Sequence, residues 1–183
     1  MSERPGRAAP PAFLFFGVFG SRTEVLDDVR RRITERYGPL HPQGESATFA
    51  FPETRTYAKT MGTALRRRFY VLARRWPQDG LAAVKRAAID MEDEVRERFG
   101  AGMGVERPAN IDPGLINDCR IILASTKDHA HRIYRGDGIW EEVTLVYREG
   151  RYRELPWTYR DFRSPEYHAF FAEFRAELLG REG

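Results

Sequence analysis

The sequence predicts an α+β fold: a ferredoxin-like βαββαβ N-terminal part, continued by an antiparallel β-hairpin or meander and a C-terminal helix, on one mixed or antiparallel sheet with helices packed on it. Three observations carry this. Residues 13–19 form a continuous apolar run closing on Gly20, as a buried central strand does. Leu81, Val84, Ala88, Met91, Val95 and Phe99 recur at alternating spacings of three and four, one apolar stripe of a helix. Residues 129–134 and 139–147 flank Gly136-Asp137-Gly138, a turn whose glycines permit positive φ.

The elements follow in order. After the first strand, Ser21 and Glu24 have the spacing of a capping box, and Val25, Leu26, Val29, Ile33 and Tyr37 continue a helix that Gly38-Pro39 stops. Residues 47–51 read as a short second strand and 65–73 as a third, with Arg67, Phe69 and Val71 on one face and Arg66, Arg68, Tyr70 and Leu72 on the other. The stretch around Tyr57, Met61 and Gly62 reads as an irregular loop. A helix spans 78–99 and ends at Gly100, and a strand near 107–111 completes the βαββαβ pattern. Residues 117–125 contain the buried-strand signal Ile121-Ile122-Leu123-Ala124. The hairpin comes next, and Glu149-Gly150 turns the chain into a strand over 151–155. Ser164 as N-cap and Pro165 at the first helical position open the last helix, whose apolar face is Tyr167, Phe170, Phe171, Phe174 and Leu178.

With 183 residues, the chain is read as a single domain over 1–183: a flexible tail at 1–10, the ferredoxin-like part at 11–112, and the meander with its helix at 113–183. Hydrophobic residues at 42% and charged residues at 31% place it among globular chains. No apolar run approaches the ~20 residues of a membrane helix, and no signal peptide is evident, so a cytoplasmic, soluble protein without membrane contact is expected. The single cysteine, Cys119, sits in what reads as sheet core and as a small buried residue. Cys/His zinc spacing is absent.

At the second half the sequence becomes specific. Asn110-Ile111-Asp112-Pro113-Gly114, Ala124-Ser125-Thr126-Lys127-Asp128, His131-Arg132-Ile133-Tyr134, Glu142-Val143-Thr144-Leu145 and Trp157-Thr158-Tyr159, with Met61-Gly62 and Arg68-Phe69, together resemble a bacterial family of unknown function, DUF4416, over nearly the whole chain. The chain departs from the family's usual pattern at Leu115, where an aromatic often follows Asp-Pro-Gly. The resemblance implies no established activity. A GTP-binding description carried by some members is tested by the residues and fails. Gly17 to Arg22 reads GVFGSR, without the lysine a P-loop requires, and Thr126-Lys127-Asp128 lacks the spacer of a guanine-reading loop. No GxGxxG follows any strand. The residues identify no cofactor.

The polar cluster with most chemical capacity spans Asp112 to Thr144. Either two-residue turn, Gly136-Asp137 or Asp137-Gly138, puts His131, Ile133, Trp140, Glu142 and Thr144 on one hairpin face, and Arg132, Tyr134, Ile139, Glu141, Val143 and Leu145 on the other. His131 and Glu142 then become neighbours, and a carboxylate beside an imidazole orients it for proton transfer. Asp128 joins them as a candidate catalytic group, and with Asp112 or Asp128 the set has the chemistry to hold a divalent metal. The alternative is a cross-strand polar pair that only fixes register. Lys127 and Arg132 suit a phosphate or carboxylate, with Asp112, Thr144 and Arg68 as further ligand-binding candidates. The alternative is a salt-bridged loop, for instance Arg132 with Glu141.

Three functions stay open. The first is binding or processing of a small phosphorylated or carboxylated ligand at this site. The second is an RNA-binding module using Arg66, Arg68, Tyr70, Arg74 and Arg75, since residues 54–78 hold seven basic side chains and no acid. The third is a non-catalytic interaction domain burying the aromatics around Trp157, Tyr159 and Phe162. The oligomeric state is not legible.

Overall fold

The chain is described by a computed structural model over residues 8–52 and 55–180. The tail expected at 1–10 lies, through residue 7, outside the described residues.

β1 (Ala12–Gly20) is buried along its whole length and is flanked by antiparallel partners on both sides, β4 (Arg66–Trp76) and β5 (Ala109–Ile116). An uninterrupted apolar strand needs cover on both faces, and it has it. α1 (Thr23–Tyr37) and α3 (Leu81–Met103) pack on one face over Leu14, Phe16, Val18, Tyr70, Ile111 and Leu115. α4 (Pro165–Leu178) covers the other over Phe13, Phe15, Phe69, Val71, Leu123 and Leu145. The sheet also contains β2 (Leu40–Glu45), β3 (Phe49–Ala50), β6 (Arg120–Ser125), β7 (Ile133–Gly136), β8 (Ile139–Arg148) and β9 (Arg151–Glu154). Its order is β2-β4-β1-β5-β6-β8-β7, every pair antiparallel, with β3 beside β4 and β9 beside β8. The segment β2-β4-β1-β5 with α1 and α3 on one face is the ferredoxin-like part, and the architecture is α+β. No helix among the described residues is long and apolar enough to cross a membrane.

Several elements differ from expectation for identifiable reasons. α1 starts at Thr23 with Arg22 as N-cap and no side-chain cap, so Ser21 and Glu24 form no capping box. The expected strand at 47–51 is reduced to β3, and β2 is a further strand ahead of it. Between them Ser46 replaces ladder bonds: its N–H donates to the Phe69 carbonyl, and its hydroxyl accepts from the Phe69 N–H at 2.9 Å. The expected loop around Tyr57 is a helix, α2 (Arg55–Met61), which buries Met61 in a small cluster with Phe19 and Leu65. α3 runs past Gly100 because the left-handed residue that ends it is Gly104, whose N–H returns to the Gly100 carbonyl. Cys119 is exposed, since it lies in the turn before β6, where the Asn117 side chain accepts from the backbone of Cys119 and Arg120. The last helix begins as expected, with Ser164 Oγ accepting from the Tyr167 N–H and proline at its start.

Candidate functional site

β8 is paired on its inner edge with β6, while its outer edge is shared by two short strands. β7 takes residues 139–141 and β9 takes 145–148. The gap between them lies at Glu142-Val143-Thr144, where a register shift against β6 makes Thr144 a bulge. Side chains from the segment after β9 fill that edge. Trp157 Nε1 donates to the Val143 carbonyl at 2.8 Å and Thr158 Oγ1 to the Thr144 carbonyl at 2.5 Å. The Thr158 hydroxyl also accepts from the Leu155 N–H at 2.7 Å, which fixes the turn.

Glu142 is the hub of this gap. Its side chain is 1% exposed and that of Arg132 2%. Arg132 Nε donates to Glu142 Oε2 at 2.7 Å, His131 Nε2 lies 3.1 Å from the same oxygen, and Thr144 Oγ1 donates to Oε1 at 3.1 Å. Arg132 then ties the loop down. Its Nη1 reaches Ser125 Oγ at 2.7 Å and the Lys127 carbonyl at 2.8 Å, and its Nη2 donates to the Tyr159 hydroxyl. Burial pushes the Tyr159 phenol up to about 12, with Glu142 adding to the rise and Arg132 opposing it, so it stays protonated at neutral pH. His131 stands between two rings: Trp157 at 5.0 Å and 10°, and His129 at 5.7 Å and 6°.

A second buried network adjoins the first through Tyr159, which feels the charges of both Glu142 and Asp112. Before Gly114, β5 has no ladder pairing with β6, and side chains of α3 take its place. Lys85 Nζ donates to the Ile111 carbonyl at 2.8 Å, and the Ile111 N–H donates to Glu92 Oε1 at 2.7 Å. Asp112 receives Lys85 at 3.3 Å, Asn110 Nδ2 at 2.7 Å and Arg67 Nη2 at 3.5 Å. Burial works to raise the Asp112 carboxyl, but Lys85 and Arg67 outweigh it and hold the group below its ordinary range. Arg67, 4% exposed, also pairs with Asp161 at 3.0 Å and lies among the rings of Phe19, Phe51, Phe69 and Phe162. Gly17 of β1 lies beside the Phe69 ring next to it: a Cβ there would stand 3.1 Å from that ring.

The structure thus brings His131, Arg132, Glu142 and Thr144 into contact, with Asp112 in the adjoining network. Lys127 and Asp128 are exposed on the loop that Arg132 pins. Arg68 is elsewhere, bound to Asp27 and Thr48 beside α1. The hairpin faces need correction. Pairing Ile133 with Glu141 and Tyr134 with Trp140, then Gly136 with Ile139, leaves Arg135 unpaired and shifts the register by one. Ile133 therefore shares a face with Glu141, not Glu142, and Tyr134 with Trp140 (rings 5.0 Å apart). His131 still meets Glu142 because it lies in a turn before β7, outside the alternation. Arg132 pairs with Glu142, and Glu141 with Arg135 at 3.3 Å. Among the described residues no three His, Cys, Asp or Glu side chains form a group able to hold a metal ion.

Sequence reasoning missed Lys85 and Glu92, whose signal was present: seven apart, they interrupt the inward side of the α3 stripe. It also missed the burial of Arg67, although it placed that residue on the face of Phe69 and Val71. On the basic strand, Tyr70 is buried beneath α1 and donates to the Leu26 carbonyl at 3.0 Å. Arg75 pairs with Glu177 and Arg74 lies over Trp76. Phe162 is buried, whereas Trp157 and Tyr159 are 39% and 42% exposed.

No curated protein and no solved structure matches the chain. The family model described as Domain of unknown function (DUF4416) matches residues 10–178, and the chain belongs to that family.

Proposed function

We propose that this protein binds a small molecule bearing a phosphate or carboxylate group at the loop of Lys127, His129 and His131, with the His131–Glu142 pair able to accept or give up a proton there. The observation that carries the reading is the division of His131. Nε2 is committed to a buried carboxylate, so in the neutral ring it holds the proton, and Nδ1 has no hydrogen-bond partner among the described residues. An imidazole oriented by a carboxylate on one nitrogen and open on the other is the arrangement general acid–base chemistry uses. The Lys127 ammonium likewise has no carboxylate partner among the described residues. Arg132 serves as the strut that holds the loop. Arg67, Arg68, Arg74 and Arg75 of the basic strand are engaged with acids and rings of the same chain, and Arg66 with the Thr23 hydroxyl, which favours the small-anion reading over nucleic acid.

The test is a thermal-shift panel of inorganic phosphate, sugar phosphates and dicarboxylates on the wild type and on Lys127→Ala/His131→Gln. A ligand at a hundredfold its Kd adds ~2.7 kcal/mol, a rise of about 5–10 °C for a chain of this length. The rise should vanish in the double variant. No shift with any anion, or one that survives both substitutions, would overturn the reading.

A further inference from the structure

We infer, resting on the anion site just proposed, that its ligand carries the anionic group on a planar aromatic ring. Among the described residues the large hydrophobic side chains left exposed are Ile133, Tyr134, Trp157, Tyr159 and Leu179; Trp157 stacks on His131 and Tyr159 accepts from Arg132 beside the loop, and Ile133 and Tyr134 follow it on β7. Tyr134 is 59% exposed and packs on Trp140 with ring centres 5.0 Å apart. Trp157, Nε1 fastened to the Val143 carbonyl, is held parallel to His131 and His129 in a three-ring stack.

By contrast, Phe13, Phe15, Phe16, Phe19, Phe69, Phe162, Phe171 and Phe174 are all 1% exposed or less. Exposed aromatics beside an open ammonium and an open imidazole nitrogen suit a ligand with an apolar, planar body and a charged end. The rings are fixed by hydrogen bonds and by one another, so little order is lost when a further ring stacks on them. A compact hydrophilic anion such as an aliphatic phosphate ester would use Lys127 and His131 and leave this wall in water.

Calorimetric titration of the full chain with two matched pairs, inorganic phosphate against phenyl phosphate and acetate against benzoate, tests this, with glycerol phosphate as the aliphatic control. The aromatic member of the pair that binds should be about tenfold tighter, equivalent to ~1.4 kcal/mol, and glycerol phosphate should match inorganic phosphate. Trp157→Leu should reduce the aromatic preference to within twofold while retaining affinity for the simple anion. Tyr134→Ser, on an exposed edge strand, gives a second reading should the tryptophan variant fail to fold. Equal affinity for the aromatic and simple anions would overturn this inference and leave the anion site standing. A preference that survives both substitutions would also overturn it, and silence with all five ligands would overturn the site as well.

Discussion

Replacing Glu142 by leucine and Arg132 by methionine, singly and together, tests whether the two form one buried unit. Their side chains are 1% and 2% exposed, and the guanidinium Nε lies 2.7 Å from the carboxylate. Glu142→Leu leaves the Arg132 charge in the interior with only neutral partners: Ser125, the Lys127 carbonyl and Tyr159. Arg132→Met leaves the Glu142 carboxylate with His131 and Thr144. Stranding one member of a buried pair costs about 3–5 kcal/mol, whereas removing both members in favour of apolar groups is often near neutral. Each single variant should therefore lose ~3–5 kcal/mol, about 6–20 °C in Tm at ~2–4 °C per kcal/mol. The double variant should lose no more than the worse single one, giving a coupling energy of at least ~3 kcal/mol. Urea unfolding of the four proteins, with m-values compared for two-state behaviour, measures this. Losses that add to within ~0.5 kcal/mol would refute the reasoning, because they would mean that the two charges do not see each other.

Further perturbations address the surrounding frame. Burial raises the Glu92 carboxyl, with Lys85 and the Ile111 N–H pulling it down less strongly. A raised folded pKa gives stability that is present at acid pH and lost as pH rises through the folded value. The advantage of wild type over Glu92→Gln should therefore shrink from pH ~4 to neutrality in urea titrations, and a growing advantage would contradict the assignment. Gly17→Ala would set a methyl 3.1 Å from the Phe69 ring and 3.5 Å from Arg67 Nη1. It should cost ~1–3 kcal/mol by overpacking, and an unchanged unfolding midpoint would show that the Phe69 ring does not depend on that space. Ser164→Ala removes the hydroxyl that accepts from the Tyr167 N–H and should cost ~1 kcal/mol. A loss below a few tenths would mean that the cap is carried by Pro165 alone.

What could be read from the sequence, and what could not, follows from the range of the interactions. β1, α3 and α4 announce themselves through local periodicity, because each buries a face that the residue pattern repeats. α2 does not. Its seven residues show no stripe, and its anchor, Met61, is set by Phe19 of β1 and by Leu65 just before β4. The hairpin register fails for a different reason. Gly136-Asp137-Gly138 all adopt positive φ, so turn chemistry alone cannot exclude an extra residue, and the bulge at Arg135 reverses which side chains share a face. The contact between His131 and Glu142 was legible only as proximity. Its geometry depends on the turn before β7 and on a segment 14 residues after Val143 that seals the edge of β8.

That seal also explains why the open chemistry gathers where it does. A sheet edge exposes backbone groups that must find partners, and at Val143 and Thr144 they find Trp157 and Thr158 side chains instead of a strand. A strand there would continue the ladder and cover this edge, whereas side chains satisfy the backbone and leave the Trp157 and Tyr159 rings partly exposed. Beneath it the buried charges are matched: Arg67 and Lys85 against Asp112 and Asp161, and Arg132 against Glu142. These pairs consume the attraction of their own members and leave little field for a ligand. The positive charge offered at the proposed site then rests on Lys127. A weak net charge of +3 on the whole chain is therefore no measure of what the proposed site would bind.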